Sequence, residues 1–362
     1  MAGSLSAVKK STMEHSIVEA NPQRYADLHI TPGPCSKEEQ QLDFTAIPNT
    51  PQDGEPWYQA FLRYNRADNS ILAQVGAALK HGDGLPEGYD VQHILLGGHS
   101  FTGFTVTRYI QNAHARIRMS DGGPIYDGFF PSGWPSSRLH ATDVPIIQAV
   151  TAADICMNNE VPYRYQYDPV SYRREDSDAD DDRYRLYEFP GFGHASMQFP
   201  PTNEVDFVLS FTQPPLIVPD GSIPSTLPFV EYHAVALDRL IRWITDGTIP
   251  SREERMVRDE TDSPDFFQKD THGNTLGGVR CPQMDVPTAV YLSNTYNEDG
   301  SVRFGGNGFE VPFSSEQLRA LYGTPENYRI RYAGQVQRSV KAGWLFPEDA
   351  QLLIEQAEAL DF

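Results

Sequence analysis

Three side chains carry the chemistry this sequence offers: Ser100, Asp154 and His194. A serine hydroxyl is a poor nucleophile until a base takes its proton. A histidine titrates near neutrality and suits that task. A carboxylate fixes the imidazole tautomer and stabilises the imidazolium that forms. Ser100 lies in residues 89–108, YDVQHILLGGHSFTGFTVTR, which read strand, sharp turn, helix. Val91 to Leu96 is a short apolar run, as a strand buried on both faces would be. Gly97 and Gly98 punctuate it, and Phe104, Arg108 and Gln111 then recur at helical spacing. A serine at such a turn is a nucleophile elbow: its hydroxyl stands out at the carboxyl end of a sheet, beside backbone N–H groups at a helix N-terminus. The glycine usual two residues after the serine is replaced by Thr102, with Gly103 one further on. Locally the string also reads as a plain turn with an N-capping serine.

The other two residues end strands of their own. Asp154 closes DVPIIQAVTAADI (143–155), and His194 ends DRYRLYEFPGFGHAS (182–196) in a Gly-x-Gly-His turn. PIYDGFFPSG (124–133) reads as one more strand. Strands alternating with helices imply a mostly parallel α/β sheet flanked by helices, whose sites lie beyond the carboxyl ends of its strands. Three strand ends that agree in residue type favour the nucleophile over the cap. Helices are expected at Trp57 to Tyr64, Ile71 to Leu79 (Ile71, Leu72, Val75, Ala78 and Leu79 forming one apolar face), Tyr232 to Thr245, Ser314 to Tyr322, Glu326 to Ala342 and Pro347 to Leu360. Residues 1–56 are irregular, with Ser4 to Val8 as a strand candidate, so residues 1–250 read as the core and 251–362 as a loop-rich, then helical, C-terminal extension. The proline-rich stretch 197–230 and the stretch 251–312, with Phe266, Phe267, Tyr291, Tyr296 and Phe309, either cover a pocket or wrap the core.

Composition narrows the partners. The chain has 362 residues and a net charge of −20, which argues against nucleic acid or an anionic membrane surface. There is no apolar run of membrane-spanning length, and MAGSLSAVKKSTMEHS has no apolar signal-peptide core, so a cytoplasmic location is expected. Cys35, Cys156 and Cys281 are odd in number and widely spaced, as thiols in a reducing compartment are, with Cys156 expected as a small buried apolar group. EDSDADDD (175–182) lacks the glycine and terminal glutamate of a calcium loop and reads as a solvated acidic loop; no metal is expected. His99 reads as a packing or gating residue rather than a second base. His140 and His233 are pocket candidates, though each also fits a structural histidine.

The chain resembles the α/β-hydrolase superfamily, and more closely the large bacterial and fungal hydrolases known as "alpha/beta hydrolase domain" proteins. The resemblance runs in order through NPQRYADL, ILAQVGAAL, GGHSFTG, PIYDGFF, VPIIQAVTAADI, DDRYRLYEFPGFGHAS, ALDRLIRWITDGTIP, GGVRCPQMDVPTAVY and VPFSSEQLRALYGTPENY, and on to AGWLFPEDAQLL. It implies a serine hydrolase with nucleophile Ser100, base His194, acid Asp154 and the Phe101 N–H as an oxyanion donor, and no cofactor. The family often has Glu where Ala152 stands; Asp154 occupies the usual place after the strand. The resemblance also implies a shortened N-terminal part, with no glycine-rich HGGG-type loop before residue 80 to supply a second donor. A missing donor costs about 3–4 kcal/mol of transition-state stabilisation. An unpaired sheet edge would then need a cover, from a second copy or a partner chain. The expected substrate is a small-molecule ester or lactone. The alternatives are acyl transfer or cyclisation by the same triad, and a degenerate, non-catalytic binding or assembly protein.

Overall fold

The computed structural model describes residues 68–82, 90–135, 137–157, 170–195, 217–259, 266–296, 302–303, 306 and 308–362. The strand expected at Ser4 to Val8 and the helix at Trp57 to Tyr64 lie outside them. All described residues but Asp68 fall in one compact unit.

The first helix, α1 (Asp68–His81), leads into β1 (Leu95–His99) and α2 (Phe101–Asn112). Then come β2 (Gly128–Ser132), β3 (Ile146–Thr151), the short helix α3 (Ala152–Met157), β4 (Ser177–Ala179) and β5 (Asp182–Phe189). These strands form one sheet in the order β1-β2-β3-β5-β4. The β1–β2, β2–β3 and β3–β5 pairs are parallel, and β4 pairs antiparallel with β5. Among the described residues β1 is one edge of the sheet, and its residues are half-buried or exposed, whereas β2 and β3 are buried throughout.

Side-chain alternation assigns the two faces. Phe129, Ile146, Val150, Tyr184 and Leu186 pack with Val106, Tyr109 and Ile110 of α2 and Ala73 of α1. Phe130, Ile147, Ala149, Tyr187 and Phe189 pack with α4 (Phe229–Thr245). The carboxyl-terminal helices α6 (Ser315–Tyr322), α7 (Pro325–Lys341) and α8 (Pro347–Glu358) put Leu318, Tyr322, Tyr332, Val336 and Leu353 into that same second cluster. Apolar packing therefore runs across the 250/251 boundary. The stretch before α6 holds α5 (Pro282–Asp285), β7 (Ala289–Leu292), β8 (Thr295–Tyr296), β9 (Val302–Arg303) and β10 (Phe309–Pro312). β10 pairs with β7 and with the two-residue β6 (Ile223–Pro224) in a small antiparallel sheet. The sequence gives this second sheet little signal, because its strands are two to four residues long and β6 and β10 each end in proline. Phe267 and Tyr291 are buried in the core clusters, so these two aromatics wrap the core.

Three sequence expectations are corrected. In α1, Ile71 and Val75 are 57 % and 51 % exposed, whereas Ala73 is buried and Leu72 and Leu79 are partly buried against the core. The inward face is set by what α1 docks on, the Ile125–Tyr126 segment, and not by its largest apolar residues. The strand before Ser100, expected as a run buried on both faces over Val91 to Leu96, forms at Leu95–His99 with its residues half-buried or exposed; in α2, Phe104 is buried, while Arg108 and Gln111 are half-buried. The acidic run is solvated at Glu175 and from Asp178 to Asp181, but it is not a plain loop: it forms the β4–β5 hairpin, where Asp176 pairs with Arg255, Asp178 with Arg185 and Arg252, and Asp182 with Arg174. Two of those arginines come from beyond residue 250, so a local charge count could not see the pairing.

Candidate active site

The backbone of Ser100 has φ 59° and ψ −124°, a region that costs a non-glycine residue roughly 1–3 kcal/mol. The turn is held from β2, where the Ser132 carbonyl accepts the Ser100 N–H at 3.0 Å. The register places His99 of β1 opposite Ser132. Ser100 makes no side-chain capping bond, so the N-cap reading of this serine is set aside. Its Oγ instead lies 2.7 Å from Nε2 of His194.

Thr102 resolves the departure from the usual glycine spacing. It is exposed; its hydroxyl donates to the His99 carbonyl at 2.7 Å and accepts the His99 N–H at 2.9 Å, tying the turn together. The close approach falls one residue later. A Cβ on Gly103 would overlap the Ser132 carbonyl oxygen, and one on Gly98 would come within 2.5 Å of the Thr102 backbone. Gly103→Ala is therefore expected to destabilise the fold by about 3 kcal/mol through forced displacement of α2 from β2. Urea unfolding checks this; a loss below about 0.5 kcal/mol would contradict it.

His194 sits in the turn after β5, 9 % exposed, and the Gly306 carbonyl accepts the neighbouring Ala195 N–H at 3.0 Å. Its Nδ1 is 2.5 Å from Oδ1 of Asp154, which is fully buried in the first turn of α3. The other oxygen, Oδ2, accepts the Thr151 N–H at 2.7 Å. Burial alone would raise the Asp154 pKa. The hydrogen bond and charge of His194, aided by His99 and the Thr151 N–H, outweigh it and hold the carboxyl below its usual range. A buried carboxylate that stays ionised can orient an imidazole and balance its charge. Phe101, the expected oxyanion donor, is the first residue of α2, where backbone N–H groups point out of the helix.

The three pocket histidines part company. The His99 ring lies beside that of His194, centroids 4.7 Å apart and planes tilted by 32°. His233, on α4, lies flat on Phe229 at 4.0 Å and edge-on to His99 at 5.9 Å. Its Nδ1 donates to the Phe229 carbonyl at 3.0 Å, and its Nε2 is shielded from solvent and has no hydrogen-bond partner among the described residues. Burial first, and His99 second, push its pKa down to about 3. His140 is corrected out of the pocket: it is exposed, and its N–H donates to the Gln111 side chain near the far end of α2. At 1.5 Å per residue that end is about 16 Å from Ser100.

The folded-state pKa of His233 lies below the unfolded value of about 6.5. Its contribution is thus present above pH 6.5 and lost as pH falls from there toward 3. His233→Phe, which keeps the stack on Phe229, is expected to flatten the acid side of the stability–pH curve by up to about 1.4 kcal/mol per pH unit. Denaturant unfolding from pH 7 to pH 4 reads this directly; unchanged slopes would refute it.

Sequence reasoning missed Ser132 and Thr151. The signal for Ser132 was its place at the carboxyl end of the strand beside the elbow, which needed the strand order. Among the described residues no group of His, Cys, Asp and Glu is arranged to hold a metal ion, and no helix is long and apolar enough to cross a membrane. Cys281 is buried, and burial pushes its thiol up to about 12.

A serine elbow after a parallel strand, with an acid and a histidine following later strands of the same sheet, is the arrangement of the α/β-hydrolase superfamily. The chain belongs to the alpha/beta hydrolase domain family, whose model matches residues 5–355. No curated protein and no solved structure matches the chain.

Proposed function

We propose that the protein is a serine hydrolase that cleaves a carboxylic ester, lactone or related acyl bond. The reading rests on one observation: the unbroken Ser100–His194–Asp154 contact, at 2.7 and 2.5 Å, built on a strained serine turn. Ser100 Oγ attacks the acyl carbonyl while His194 Nε2 takes its proton. Asp154 balances the imidazolium, and the Phe101 N–H helps hold the oxyanion. The tetrahedral intermediate collapses as His194 returns the proton to the leaving alkoxide oxygen. Water then attacks the acyl-enzyme with His194 again as base, releasing the acid and restoring Ser100. A non-catalytic role would leave no pressure on the serine to stay within hydrogen-bond reach of a histidine base, and the 2.7 Å contact weighs against it.

A fluorescent fluorophosphonate tests the proposal, since it phosphonylates an activated serine and leaves an ordinary one alone. Covalent labelling at Ser100 of the folded protein is expected. Folded protein that stays unlabelled would sink the reading.

A further inference from the structure

His99 immediately precedes the nucleophile, and its ring joins two segments that the triad itself does not join. Its Nε2 lies 2.7 Å from the backbone carbonyl of His194, and its Nδ1 lies 3.0 Å from Oγ of Ser132. A carbonyl only accepts, so Nε2 carries the proton and the neutral ring's Nδ1 accepts from the Ser132 hydroxyl. Ser132 also accepts the Ser100 N–H through its own carbonyl. The bonds close a ring: Ser100 N–H to Ser132, Ser132 hydroxyl to His99, His99 to the His194 carbonyl, and the His194 imidazole back to Ser100 Oγ. The fold makes room for this ring of contacts. Gly133 has φ +71°, and a Cβ there would come within 2.6 Å of His99 Cε1 and 2.8 Å of its Nδ1.

We propose that His99 is a positioning residue for the reaction described above: through its Nε2–H it fixes the backbone of His194 and so sets the distance between the base and Ser100. This rests on the serine-hydrolase reading. Neutrality matters to the role, because a charged ring 4.7 Å from His194 would oppose the imidazolium formed in each acyl-transfer step. The groups facing His99 agree with it. Burial first and His194 second lower its pKa, Asp154 and the bond to the His194 carbonyl offset part of that, and the other ring against it, His233, is held neutral at physiological pH.

The test exploits the shapes of two amides. Glutamine at 99 places its N–H where His99 carries Nε2–H; asparagine reaches only as far as Nδ1 and falls short of the His194 carbonyl. His99→Leu and His99→Asn are expected to lower kcat on an activated aryl ester, and the fluorophosphonate labelling rate, by about 10- to 100-fold with KM little changed. His99→Gln is expected to recover to within about threefold of the parent. A side chain that merely packs would make the three variants differ in Tm and not in rate. Equal rates for Gln and Asn, or parent-like rates in all three, overturn the proposal. The parent protein gives a second readout that depends on no variant rate. In 15N-histidine NMR the His99 ring, assigned by its disappearance in His99→Gln, should be the neutral Nε2–H tautomer, and an Nδ1–H tautomer overturns the proposal. Failure of the parent to label would strike the hydrolase reading itself, whereas a labelled parent with indifferent variants strikes only the role of His99.

Discussion

Ser100→Ala is expected to lower kcat on an activated aryl ester by about 10⁵- to 10⁶-fold, and His194→Ala by a similar factor. In the proposed mechanism the two act as one unit: without Ser100 there would be no atom to acylate, and without His194 the 2.7 Å contact through which the hydroxyl proton would leave is gone. The double variant should therefore be no slower than either single one, in contrast to the product of the two losses that independent contributions would give. Their stabilities should differ. Alanine tolerates φ 59° no better and no worse than serine, so Ser100→Ala should unfold within about 1 kcal/mol of the parent. His194→Ala leaves the fully buried Asp154 carboxylate without the donor at Nδ1, which costs roughly 1–3 kcal/mol. Steady-state kinetics with urea unfolding separate these effects. A Ser100→Ala protein that keeps its rate within tenfold of the parent would remove Ser100 from the mechanism.

Asp154→Asn should cost about 10⁴-fold in kcat with KM nearly unchanged. The size follows from the second hydrogen bond on the carboxylate. Oδ2 accepts the Thr151 N–H at 2.7 Å, and only the oxygen of an asparagine can replace it there. The amide NH₂ is then turned toward His194 Nδ1, where it must donate. That forces the proton of a neutral imidazole onto Nε2, the nitrogen that has to receive the proton of Ser100. The geometry survives and the tautomer is wrong. The lowered pKa of Asp154 keeps the parent carboxylate charged. Its folded value lies below the unfolded one of about 3.8, so its stabilisation is present above pH 3.8 and lost only as pH falls below that. At neutral pH the parent always carries the charge that the variant lacks. A loss under tenfold would mean that another group orients His194.

How much of this could be read before folding varies with the range of the interaction concerned. The strand behind Asp154 was legible because it is a short apolar run closed by punctuation, and the one behind His194 because tyrosines, Leu186 and Phe189 lead into a Gly-x-Gly stop. The strand behind Ser100 was legible in its existence only: expected over Val91 to Leu96, it forms at Leu95–His99. Helices α4, α6, α7 and α8 were legible from their apolar periodicity and their stops, their bounds falling within three residues of expectation at each end. The inward face of α1 was not, because apolar spacing says that a stripe exists while the docking partner decides which residues it includes. His140 and His233 were indistinguishable in the string. Their distances to the serine depend on where α2 ends and where α4 crosses the sheet, neither of which has a local signature.

The sequence by itself determined which three residue types could act and in what order, since an acyl-transfer triad needs a nucleophile, a base and a carboxylate and each stood at a strand end. Only the tertiary structure decided that Thr102 ties the turn while Gly103 gives β2 its close approach. It alone set Ser132 opposite His99, and it gave the acidic hairpin its arginines. The Thr102–His99 bonds span three residues but form only once the turn is bent. For Gly103 against β2, for Ser132 opposite His99 and for Arg252 and Arg255 on the hairpin the physical reason is the same: these are contacts between segments tens of residues apart, fixed by strand order and register, and no pattern within either segment encodes its partner.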